Sequence, residues 1–169
     1  MKRKGILVVG LLFAWATAGY GQVESRTYGL MLETLLRHSV PEMDVRQAAK
    51  NRSQLIFLDA RELREYAVSH IDGAVYVGYD QFDPTQLAAL HPHDPIVVYC
   101  SVGYRSEKIA EKLLANGFKN VSNLYGGIFE WVNQGYPVVA QKKRTRQVHA
   151  YDRTWGVWLR KGEKVYSSR

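Results

Sequence analysis

The residues best suited to chemistry are gathered in one stretch, Tyr99-Cys100-Ser101-Val102-Gly103-Tyr104-Arg105-Ser106. Cys100 is the only cysteine of the chain. It can make no internal disulfide, so it is a reactive thiol, half of an intermolecular bridge, or an inert core residue. Its surroundings favour the first. A continuous apolar run, Ile96-Val97-Val98-Tyr99, leads into it, a short loop containing Gly103 follows, and a helical pattern begins at once. A thiol at such a junction faces the free amides and positive end of a helix, which favour the thiolate. Successive N–H groups from Ser101 to Ser106 can curl around the sulfur as an anion nest, with Gly103 permitting the turn. Val102 and Tyr104 complete this wall, and the Tyr104 ring is expected at the mouth. Arg105 adds a permanent charge and a donor fork suited to sulfonate or phosphate oxygens. Ser106 is expected to cap the helix through its hydroxyl.

These residues need a scaffold, and the hydrophobic pattern predicts one. A helix is expected over 28–38, redirected at Pro41, and Asp44 is placed to cap a short helix over 45–50. Leu55-Ile56-Phe57-Leu58 runs without a break into Asp59, as in a strand buried on both faces. A short helix over 62–68, a strand over 74–77 and a helix over 84–91 follow, the last capped by Asp83. The strand leading to Cys100 covers 96–99. Beyond it come a helix over 106–116 with Gly117 at its left-handed cap, a strand over 121–124, and a helix over 127–134 closed by Gly135. Short apolar strands alternating with helices predict an α/β domain with a central, mostly parallel sheet and helices on both faces. Ligands of such sheets gather beyond the carboxyl ends of the strands, where Cys100 lies.

The two ends differ from the body. The formal net charge is +7, but it resides in Lys2, Arg3 and Lys4 and in the nine Lys/Arg that follow residue 140, leaving a mildly acidic middle. That distribution speaks against a nucleic-acid partner and fits a solvated basic tail. Residues 1–21 combine a positive start, an uncharged apolar run from Ile6 to Ala18, and small residues at Ala16, Ala18, Gly19 and Gly21, the pattern of a signal peptide. The expectation is an exported protein, periplasmic or secreted, with membrane tethering through an uncleaved segment as the alternative. The chain thus divides into a signal peptide (1–21), a helical extension (22–40), one folded domain (41–140) and a basic tail (141–169). In the tail, Lys142-Lys143-Arg144 reads as a linker, and 154–159 and 163–166 as the arms of a β-hairpin. Trp155 and Trp158 would cover a sheet edge, line the site mouth or pack against the domain, the last being the preferred reading.

The loop from Cys100 to Ser106 resembles the active-site loop of rhodanese-like domains. Phe57-Leu58-Asp59-Ala60-Arg61-Glu62 with Glu65-Tyr66 is similar to the family's Asp-x-Arg segment. His70-Ile71-Asp72-Gly73-Ala74 matches its His-Ile-x-Gly-Ala segment, and Leu124-Tyr125-Gly126-Gly127 with Trp131 and Gly135-Tyr136-Pro137-Val138 its closing segment. Four motifs in order span roughly 55–140. The resemblance implies a double displacement: Cys100 takes a sulfur from a small anionic donor such as thiosulfate, becomes a persulfide, and yields the sulfur to cyanide, a thiol or an acceptor protein. It implies no metal or organic cofactor. Ser101 to Ser106 would then hold the substrate, and Asp59 and Arg61 would support the loop without acting in catalysis. His70 reads as a packing residue of its turn in preference to a general base.

Two rivals remain. Dual-specificity phosphatases on the same fold place five residues between cysteine and arginine, whereas four separate Cys100 from Arg105 here, a ring suited to one sulfur rather than a phosphate or arsenate. Rhodanese-like domains also serve as non-catalytic binding or regulatory modules, many of them without the cysteine that this chain retains.

Overall fold

The computed structural model describes residues 23–166. Five strands, β1 (Glu42–Met43), β2 (Ile56–Asp59), β3 (Val75–Tyr76), β4 (Ile96–Tyr99) and β5 (Val121–Leu124), form one parallel sheet in the order β1-β5-β4-β2-β3. All four residues of β4 are buried, because both faces of the sheet are covered. Val97 and Tyr99 enter one core with Phe57, Phe129 and Trp131. Ile96 and Val98 enter the other with Leu58, Ile109 and Leu113. The unbroken apolar run of the central strands follows from this two-sided burial. Helices α1 (Arg26–Leu35), α2 (Val45–Lys50) and α5 (Gly127–Asn133) cover the first face, and α4 (Tyr104–Ala115) the second. The remaining helix, α3 (Leu63–Val68), follows β2. The expected α/β architecture with a parallel central sheet is the one formed.

Several element limits differ from expectation. Helix α4 begins two residues before Ser106, because Gly103, at φ 122°, stands as its N-cap. The helix expected over 84–91 is a 3-10 turn, Pro84–Leu87, in which Leu87 alone is buried, too narrow an apolar stripe for a longer helix.

The tail departs most. The hairpin expected over 154–166 does not form. Instead β6 (Val138–Ala140) and β7 (Lys143–Thr145) pair antiparallel across Gln141 and Lys142, both at positive φ, so the supposed linker is half a hairpin. Strand β8 (Gln147–His149) then pairs parallel with β9 (Glu163–Val165). Between them Trp155–Trp158 makes a 3-10 turn. A strand would have put Val157 and Leu159 on one face, yet Val157 is 60% exposed and Leu159 fully buried.

Both extensions lie against the domain and against each other. Tyr28 of α1 stacks on Trp158 with centroids 5.4 Å apart, and Arg160 pairs with Glu24 at 3.1 Å. The signal segment expected over 1–21 lies outside the described residues. Among those described, no helix is long and apolar enough to cross a membrane.

Candidate active site

Cys100 follows β4 directly, at the carboxyl edge of the sheet. Its side chain is almost fully buried yet forms part of the wall of a cavity of about 880 Å³. The sulfur accepts the Gly103 amide at 3.2 Å. Tyr104, Arg105 and Ser106 form the first turn of α4, where amides have no partner within a helix and the dipole is positive. The loop thus sets the Gly103 amide on the sulfur and leads directly into the start of α4.

Neighbouring elements hold the loop by its backbone. The Cys100 and Ser101 carbonyls accept the amides of Ile128 and Phe129 at 2.9 and 3.1 Å. This contact requires Gly127: a β-carbon there would lie 2.5 Å from the Cys100 carbonyl oxygen. From β5, buried Asn123 donates to the Gly103 carbonyl at 3.1 Å and accepts the Ser106 hydroxyl at 2.7 Å. Ser106 is thus not the helix cap. It sits inside the first turn, buried, and ties the loop to β5.

Arg105 lines the cavity with its fork already engaged. Its two terminal nitrogens reach the Glu65 carboxylate at 2.7 and 2.9 Å, and one also donates to the Ser101 hydroxyl at 3.0 Å. Glu65 is fully buried on α3. Burial alone would raise its carboxyl pKa, but Arg105, with help from Arg61 and the Glu62 amide, lowers it to about 2. Burial alone would lower the Arg105 pKa, and Glu65 together with the charge of Cys100 raises it. The Tyr151 ring lies 5.1 Å from the guanidinium carbon.

Asp59 and Arg61 form a second, wholly buried ion pair at 2.7 Å. Arg61 also donates to the Ser69 carbonyl at 2.6 Å and lies over the Tyr99 ring. The Tyr99 hydroxyl in turn accepts the Ile71 amide. The pair joins the ends of β2 and β4 to the 69–71 turn and leaves the cavity wall to others. His70 stacks on Tyr66 and bonds its carbonyl, the packing arrangement that its turn suggests.

Of the residues singled out in the sequence, Cys100, Ser101, Val102, Tyr104 and Arg105 meet at the cavity. Gly103 and Ser106 shape the loop from beneath. Sequence reasoning missed Glu65 as the partner of Arg105, although it lies within the Asp-x-Arg segment. It also missed Asn123, which reaches the loop from β5, and Leu35 and Tyr151, which reach the cavity because the chain ends fold back. Trp155 lines the cavity, and Trp158 packs on α1, so two of the three readings hold, one for each tryptophan.

The comparisons agree with this geometry. Residues 43–134 match the rhodanese-like domain family. A tRNA uridine(34) hydroxylase of Buchnera aphidicola is 36% identical over 102 residues, covering 55% of this chain and 32% of that protein; the chain thus spans about a third of that relative. YrkF of Bacillus subtilis, named as a candidate sulfur carrier protein, is 29% identical over 137 residues, covering 73% of this chain and 74% of its own. Among solved structures, a rhodanese-related protein of Thermoplasma volcanium superposes with a TM-score of 0.54 at 26% identity, covering 59% of this chain and 98% of that one. With more than half its length matched and the cysteine loop built at the sheet edge, this chain belongs to the rhodanese-like domain family.

Proposed function

We propose that the protein is a sulfurtransferase that moves a sulfane sulfur from thiosulfate or a related donor to a thiophilic acceptor through a persulfide on Cys100. The Cys100 thiolate attacks the outer sulfur of thiosulfate. A sulfur–sulfur bond forms, the donor's own sulfur–sulfur bond breaks, and sulfite leaves with the electron pair. Cyanide or a thiolate then attacks the outer sulfur of the persulfide and restores the Cys100 thiolate. No external oxidant or cofactor enters either step.

The observation that carries the reading is the sulfur of Cys100 on a cavity wall, accepting the Gly103 amide beside the first turn of α4 and the Arg105 charge. That environment suits an anion on sulfur. The resemblance to a candidate sulfur carrier over nearly three-quarters of both chains points the same way. Phosphatase chemistry is disfavoured by the loop itself, which has four residues between Cys100 and Arg105 where phosphatases on this fold use five to wrap a tetrahedral phosphate. Hydroxylation belongs to relatives of which this chain covers only about a third and is not carried over. Residues 1–21 support export, so we place the reaction in the periplasm or outside the cell.

The test is thiocyanate formation from thiosulfate and cyanide. Activity lost in Cys100→Ser supports the reading. An inactive wild type, or rapid hydrolysis of an aryl phosphate that depends on Cys100, overturns it.

A further inference from the structure

We propose that the sulfur acceptor is a small organic thiol with an aromatic or branched apolar body, held by a wall that the two chain extensions raise beside Cys100. The inference rests on the sulfurtransferase reading and names its substrate class.

The cavity is the first argument. At about 880 Å³ it falls in the range of pockets that enclose small molecules, roughly 300–1,000 Å³. Cyanide or thiosulfate would leave most of it empty. A concave site of this volume fits a compact ligand better than the broad face of another protein.

The composition of the wall is the second. Leu35 from α1, Tyr151 and Trp155 from the tail, and Tyr104 from the loop all line the cavity. Leu35, Tyr151 and Trp155 lie outside residues 43–134, the stretch matched by the family. Three of these four side chains therefore come from outside the stretch that the family shares.

Charge is the third. Glu62, Asp80, Arg64 and Arg105 line the same space, and Arg105 is already paired with Glu65. The two cations are matched by two carboxylates on the wall and a third beneath it. A small anion finds attraction only at the Arg105 corner beside Cys100, whereas an apolar body finds rings along the rest of the wall.

The wall is also held in place. Tyr151 has φ 63°, an unfavourable region for a bulky residue. It is kept there by its amide, which donates to the His149 Nδ1 at 3.1 Å, and by its ring against Arg105. Trp155 is anchored by its amide, which donates to the Asp152 carboxylate at 2.9 Å.

In the step, the acceptor thiol loses its proton to solvent and the resulting thiolate attacks the outer sulfur of the Cys100 persulfide. The bond between the two persulfide sulfurs breaks, its electron pair stays on Cys100, and the acceptor leaves as an organic persulfide anion.

The experiment loads the purified protein with sulfur from thiosulfate, removes excess donor, and follows discharge by intact mass with 2-mercaptoethanol or 2-phenylethanethiol. The second-order rate should be about tenfold or more higher with the phenyl compound, the gain expected from burying an apolar ring. In Trp155→Ala, and in Tyr151→Asn, which tolerates the positive φ, the preference should fall to within about twofold. Sulfur loading of each variant reports that the Cys100 loop is intact. Equal rates in the wild type overturn the inference, as does a preference that survives both substitutions or faster discharge to a cysteine-bearing protein than to either thiol. A wild type that never loads sulfur contradicts the sulfurtransferase reading itself.

Discussion

Glu65 and Arg105, 40 positions apart in the chain, meet in a two-pronged ion pair at 2.7 and 2.9 Å. The pair joins α3 to the first turn of α4, and Ser101 completes the joint by donating its hydroxyl to the same carboxylate at 3.1 Å. The loop around Cys100 is thus locked from the side by charge, while Gly127 and the amides of α5 hold it by its backbone. Two-pronged arginine–carboxylate contacts fix orientation as well as distance, so α3 sets the direction in which Arg105 presents its charge.

The Glu65 carboxyl has a pKa of about 2 in the folded chain against an ordinary 4.5. Between those values the unfolded chain binds a proton that the folded one does not. The stabilisation is therefore fully present above pH 4.5 and is lost progressively as pH falls toward 2. Urea unfolding at about pH 6 and about pH 3 should show Glu65→Gln much less stable than wild type at the higher pH, with the gap narrowed at the lower. A gap independent of pH would contradict the assignment.

The His149 pKa is lowered too, which for a base disfavours the charged form: burial, reinforced by Arg61, Arg64 and Arg105 against the pull of Glu65, brings it below 6.5. Below pH 6.5 the unfolded state takes up the proton first, so this contribution to stability falls as pH drops until the folded value is passed. Protonated Nδ1 also ceases to accept the Tyr151 amide. Thermal unfolding between about pH 7.5 and about pH 5.5 should show a steeper loss in wild type than in His149→Asn. Parallel curves would contradict this.

Gly127→Ala should lower stability by about 1–3 kcal/mol, the range of overpacked cores, because the new β-carbon meets the Cys100 carbonyl and the backbone is at positive φ. Sulfur loading at Cys100 should fall with it, since the loop must shift. Denaturant midpoints and loading rates check both.

Arg105→Ala should weaken apparent thiosulfate affinity by about tenfold or more, the effect of losing a charge-assisted contact of roughly 1.5–3 kcal/mol. It should also destabilise the fold, because it strands a buried carboxylate. Arg105→Lys should recover part of the affinity but not the two-pronged geometry. Steady-state KM values with unfolding curves for both variants separate the roles, and an unchanged KM in Arg105→Ala would contradict the first.

The central strands were legible because burial on both faces demands unbroken apolar runs, and the loop because a cysteine, a glycine and a helical pattern follow one another without a gap. The pairing of Arg105 with Glu65 was not legible: it depends on where α3 packs, which no local pattern encodes. The tail misled for a related reason. Trp155, Val157 and Leu159 alternate like a strand, but Leu159 is drawn into the core and Val157 is left in solvent, a choice made by the domain surface that receives them. Ser106 looked like a cap because a hydroxyl near a helix start is usually one, whereas Gly103 had already turned the chain.

Incubating the purified protein with thiosulfate and weighing it intact addresses the chemistry of Cys100 most directly. The account predicts a gain of one sulfur atom, removed by cyanide and absent from Cys100→Ala. No gain in the wild type, or a gain that persists when Cys100 is replaced, would contradict it.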